Sequence, residues 1–104
     1  MAIPVYSTRF ILEHGATGPH SYLVPAGFVA IIRDVDVTTQ PTGGCNILLV
    51  VDLALLWIVE LGLEPQFTYQ SWRGRQVVPG GGVMTLDTTD TADYAVSGYL
   101  LTSP

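Results

Sequence analysis

The side chains able to do chemistry in this chain fall into a few small groups. His14 and His20 are its only histidines, and Glu13 stands beside the first. Two imidazoles and a carboxylate suit a divalent cation. Zinc sites, however, space their ligands by a helical turn or in short fixed pairs, and the path from His14 to His20 runs through Gly15, Gly18 and Pro19 instead. Asp87, Asp90 and Asp93 crowd one turn and offer oxygens to calcium, but the bend glycine and distal glutamate of a calcium loop are missing. The expectations are an exposed loop with incidental histidines and a solvated hairpin tip. Cys45 has no nucleophile elbow or cysteine-protease context around it and reads as an incidental loop thiol. Asp52, Glu60 and Glu64 sit in or beside a strongly apolar run with no motif for a glycosidase carboxylate pair. No catalytic, metal or cofactor residue is assigned on these grounds, and the chain reads as non-enzymatic.

Trp72, Arg73 and Arg75 form a different kind of group. Tryptophan beside alternating cations can stack on a sugar or grip a carboxylate through a two-pronged guanidinium, and both residue types are frequent interface anchors. Alternation in a strand puts position 72 on one face and positions 73 and 75 on the other. The expected arrangement has Trp72 filling the core while Arg73 and Arg75 pair with acids of this or a neighbouring subunit. Arg33 stands between Ile31 and Val35, where a core-facing charge is costly. Two resolutions are open: a bulge that turns it outward, or a buried acid such as Asp52 or Glu60 that meets it.

The elements that must hold these groups are strands. Val5 to Leu12 reads as the first and His20 to Val24 as a short second. Phe28 to Thr38 is a long third, with Val29, Ile31, Val35 and Val37 alternating as a buried face. Ile47 to Leu63 splits into two strands around Asp52, favoured over a buried helix by its β-branched and aromatic residues. Phe67 to Val78, Val83 to Thr88 and Tyr94 to Leu101 complete the series. With proline and glycine between segments and no amphipathic helix, the fold class is all-β: a single antiparallel β-sandwich of seven to eight strands, jelly-roll or immunoglobulin-like.

A length of 104 residues suits one domain spanning the whole chain. One cysteine excludes an internal disulfide, so packing must carry the fold. Met1 to Thr8, with Pro4 and polar residues, does not read as a leader peptide. The apolar stretch Ile47 to Leu61 is interrupted by Asp52 and Glu60 and is shorter than the ~20 residues of a spanning helix. A net charge of −5, with arginines at 9, 33, 73 and 75 and no lysine, argues against nucleic acid and against acidic membrane surfaces as partners. Charged residues make up only 12% of the chain against 48% hydrophobic, so either Thr, Ser and Gly dominate the surface or, the favoured reading, neighbouring subunits cover apolar surface; the absence of lysine fits the same reading or a GC-rich coding bias. The segment Phe28 to Ile32 is apolar on both parities, which points to a contact through Phe28, Ala30 and Ile32.

Three stretches in order carry a resemblance. Tyr22, one residue, then Val24-Pro25-Ala26-Gly27 leads into Ile31-Ile32-Arg33-Asp34-Val35. Trp72-Arg73-Gly74-Arg75-Gln76 runs into Pro79-Gly80-Gly81-Gly82, and Ala95 to Leu101 closes the chain. Together they resemble small β-sandwich virion proteins of tailed bacteriophages, of the minor tail or head-surface decoration type. That family commonly has a glutamate and another polar residue after the second corner. Three glycines stand here, which predicts a looser corner. The resemblance implies a structural, non-enzymatic component assembled in the host cytoplasm into the virion, foremost a minor tail or tail-tip protein. A capsid decoration protein reinforcing subunit junctions is the alternative. Its partners would be copies of itself and neighbouring virion proteins, with Phe28, Ala30, Ile32, Trp72, Arg73 and Arg75 as interface candidates. A rival of another class is a module binding host cell-wall glycan, which requires two or three exposed coplanar rings from Trp57, Trp72, Tyr6, Tyr22, Tyr69, Tyr94 and Tyr99.

Overall fold

The structure, a computed structural model, describes residues 5–102, and the side chains of residues 7–102. Part of the Met1 to Thr8 stretch and the ring of Tyr6 therefore lie outside the described residues. Eight strands are present: β1 (Val5–Ala16), β2 (His20–Leu23), β3 (Phe28–Thr39), β4 (Cys45–Val51), β5 (Ala54–Leu61), β6 (Thr68–Pro79), β7 (Val83–Thr88) and β8 (Ala92–Thr102). They form two four-stranded antiparallel sheets, ordered β1-β8-β3-β6 and β2-β7-β4-β5.

The pairings β1·β8, β2·β7, β3·β6 and β4·β5 are nested, as in one long hairpin folded at its middle and rolled up. Consecutive strands then change sheets at every step except β4 to β5. This is the jelly-roll alternative of the expected fold class. The immunoglobulin order, with its seven strands divided four and three, is not present. The fold point is the two-residue turn Asp52-Leu53, whose φ angles of 47° and 70° give the twist a tight hairpin needs.

The two proline-glycine corners meet in space because they are the matching β2–β3 and β6–β7 crossings of that rolled hairpin. Val24 N donates to Gly82 O at 2.9 Å, and Gly81 N donates to Val24 O at 2.9 Å. The triple glycine is not a loose corner. Gly81 adopts φ 84°, and a Cβ on Gly82 would stand 2.8 Å from Val78 Cγ1 and 2.9 Å from Asp52 Oδ2. Close packing of two corners and the hairpin turn, rather than slackness, requires glycine there.

The core lies between the sheets, built from Ala30, Ile32, Val35 and Val37 of β3 against Ile47, Leu49, Met84 and Leu86, with Val24, Val78 and Val96 closing it. Strict alternation along β3 fails at one point. The register slips between Ile32 and Asp34 against both neighbours, and β1 slips at the same level between Arg9 and Ile11. One extra residue reverses the parity of everything beyond it. Val35 and Val37 face the core as expected, but at the other end Ala30 and Ile32 are buried, and Val29 and Ile31 turn to the outer face. Gly98 sits opposite Ile32 beside the slip, where a Cβ would come within 1.9 Å of Ile31 O.

Candidate functional surfaces

The bulge settles Arg33. It turns the guanidinium outward over the Tyr99 ring, 5.7 Å from its centroid, and neither Asp52 nor Glu60 meets it. Further along the same outer face, Arg73 ties β6 to β3. Its Nη2 donates to Asp36 Oδ1 at 2.6 Å and to the Tyr69 hydroxyl at 3.0 Å, while Nε lies 3.3 Å from Asp34 Oδ1. Tyr69 also donates to Asp36. Partial burial pushes the Asp36 carboxyl upward, but the hydrogen bonds from Tyr69 and Arg73 and the guanidinium charge outweigh it and hold the group below its ordinary range. Hydrogen bonding to Asp36, then to Tyr69, raises Arg73.

Trp72 points inward as alternation requires, packing against the core and over Gly74, where a Cβ would stand 2.7 Å from its Cζ2. Arg73 pairs with acids of its own chain. Arg75 is exposed and makes no ion pair among the described residues.

At one end of the sandwich the histidines are held separately. His14 belongs to β1, longer than expected, and lies 2.8 Å from Asp93. His20 lies 3.1 Å from Glu13. The outer face there has a shallow depression of about 250 Å3 lined by Leu12, His14, Asp36, Thr38 and Asp93. Among the described residues no three His, Cys, Asp or Glu side chains converge to hold a metal.

The aspartates of the supposed hairpin tip do not converge, because β7 and β8 lie in different sheets and the turn is a crossing between them; Asp93 pairs with His14 and accepts from Gly15 N, while Asp90 turns to Thr42. Asp90 accepts from Thr42 Oγ1 at 2.5 Å and Thr91 N at 2.7 Å, which lower its pKa in that order of weight. It thereby anchors the loop before β4, a role that only long-range contact reveals. Cys45 is also no loop thiol. It opens β4 and is buried in the core. The Tyr94 hydroxyl is buried without a hydrogen-bond partner. Desolvation first, then the charges of Glu13 and Asp87, push its pKa up to about 12.

The surface that the sequence did not single out is the outer face of β2-β7-β4-β5. Register pairs Leu48 with Ile58 and Val50 with Leu55, all on the side away from the buried Ile47, Leu49 and Val51. Leu23 pairs with Val83 on the same side, Ser21 and Thr85 share a 2.8 Å hydrogen bond between them, and Leu53 stands 99% exposed at the hairpin tip. A second depression, about 200 Å3, lies among Val50, Asp52, Leu53, Val83 and Thr85. The face could be read only after knowing that β4 and β5 form a hairpin lying against β7, since the run Ile47 to Leu61 is apolar at nearly every position.

Of the interface candidates, Ala30 and Ile32 are corrected: both are fully buried in the chain's own core, so neither can contact another subunit. Phe28 is half-buried and packs against that core. The outward-facing apolar side chains of this segment are the opposite parity, Val29 and Ile31, both partly buried, beside the more exposed Val77 and Tyr99. No helix is long and apolar enough to cross a membrane among the described residues. No family model matches the sequence, and no curated protein matches it either.

Proposed function

We propose that the protein is a non-enzymatic structural component of a tailed-phage virion, foremost a minor tail or tail-tip protein, that packs into the particle through an outer sheet face. The observation that carries the assembly part of this reading is the apolar outer face of β2-β7-β4-β5, where Leu23, Leu55 and Ile58 are each about half exposed or more. Contiguous apolar surface of that kind is among the marks of a contact to another protein. The virion part rests on the sequence resemblance alone, and capsid decoration is the same reading with a different position in the particle.

The glycan-binding rival draws less support. Trp57 and Trp72 turn inward against the core. Phe67, Tyr69 and Tyr99 are exposed, yet no two of these rings meet among the described residues, and the Tyr69 hydroxyl is engaged by Asp36 and Arg73. Density-banded particles from an infected culture, examined by mass spectrometry and by antibody labelling in the electron microscope, test the proposal. The protein should band with particles at fixed copy number, labelled at the tail. Its absence from washed particles, together with retention on host cell-wall polysaccharide, would overturn the reading in favour of a lectin.

A further inference from the structure

The charges of this molecule are divided between its two sheets. All four arginines belong to β1, β3 and β6, in the sheet β1-β8-β3-β6. The strands of the other sheet contain no lysine or arginine; their charges are Glu60 and Asp87, with Asp52 at the hairpin tip. The apolar face of β2-β7-β4-β5 is therefore rimmed by acids alone. Two copies meeting through this face about a two-fold axis would bring acidic rim against acidic rim, which long-range repulsion opposes.

The opposite sheet offers what that rim lacks. At its bulged end Val29, Ile31, Val77 and Tyr99 form an apolar strip on the outer side. Arg9, Arg33 and Arg75 adjoin it, and none of the three makes an ion pair among the described residues. The acids of this face that lie nearest, Asp34 and Asp36, are already taken by Arg73.

We infer that the chain associates with a second copy of itself head to tail, the apolar face around Leu55 and Ile58 of one molecule docking on the Val77–Tyr99 strip and free arginines of the next. The contact is heterologous, so a docked pair still has one unused face of each kind, one on each molecule, and the assembly grows into a ring or a filament. This deepens the proposed function and rests on it only in taking the apolar face to be covered by protein.

Heterologous contact has a consequence that isologous contact lacks. Ile58→Asp spoils the apolar-acidic face and Val77→Asp the apolar-basic one, both at exposed positions. Each variant alone should show association weakened about tenfold or more by light scattering and sedimentation across a concentration series. Mixed, they should form one-to-one dimers and nothing larger, because each supplies the intact face the other lacks. The doubly reversed Arg33→Glu/Arg75→Glu chain should behave as Val77→Asp does. Leu55→Glu and Arg75→Glu replace the first pair should either variant lose the wild-type thermal melt. A wild type that stays monomeric at the highest concentration would overturn the inference. So would a mixture no better associated than its components, or a Val77→Asp chain that assembles normally. Particle analysis separates the two proposals: head-to-tail association without incorporation sinks the virion reading, and incorporation of a monomeric chain sinks this contact.

Discussion

The parity reversal at Arg33 decides which of two neighbouring isoleucines is buried, and replacing each by alanine measures it. Ile31 and Ile32 share residue type, strand and backbone propensity and differ in the face they occupy. Ile32 is fully buried in the core cluster that also holds Val35, Val78 and Met84, whereas Ile31 lies partly buried on the outer side between Tyr99 and Val77. Truncating a buried isoleucine costs about 2–5 kcal/mol, the lost transfer energy plus the cavity left behind. A domain of this length has about 5–15 kcal/mol in all, so Ile32→Ala should consume a large part of it. Ile31→Ala should cost under about 1 kcal/mol. In urea, with an m-value of about 1–3 kcal/mol/M, a 3 kcal/mol loss lowers the midpoint by about 1–3 M, while the Ile31 variant stays close to wild type. The measurement is made at dilute concentration, where no subunit contact covers Ile31, and equal m-values certify that only stability changed. Equal losses, or a larger loss for Ile31→Ala, would mean that the strand runs without the bulge and that Ile31 shares the core with Val35.

Other perturbations read other features. Leu53→Gly should raise stability by about 1 kcal/mol in the same assay, because leucine at φ 70° carries left-handed strain while its side chain is solvent-exposed. Tyr94→Phe should be neutral or stabilising by about 1 kcal/mol, since it removes a buried hydroxyl with no partner. The raised Tyr94 pKa favours the folded state below pH 10, and that contribution fades as pH rises from about 10 to about 12; the alkaline fall in melting temperature should therefore be shallower in the phenylalanine variant. Asp36 is shifted the other way. Its stabilisation is present above the ordinary carboxylate range and lost as pH falls through its lowered pKa, so Asp36→Asn should be the less stable chain at pH 7 by at most about 1 kcal/mol, with the gap closing in acid.

The strand inventory was legible in the sequence because its signals are local. Proline and glycine corners at 25–27 and 79–82, β-branched runs and the polar break at Asp52 mark where strands start and stop, whatever they pair with. Trp72 inward and Arg73 outward followed from alternation, since β6 keeps its parity from Thr68 to Val78. Alternation failed in β3 because a bulge is settled between strands. The slip at Arg33 exists only against β6 and β8, and Gly98, which permits it, lies far along the chain. The same distance hid the staple from Asp90 to Thr42, the pairing of His14 with Asp93 and the burial of Cys45. Composition announced too little charge for an apolar chain of this size. Which side of which sheet lacked it was decided by the order β2-β7-β4-β5, which places Leu23, Val83, Val50, Leu55 and Ile58 on one outer face and leaves every arginine on the other sheet.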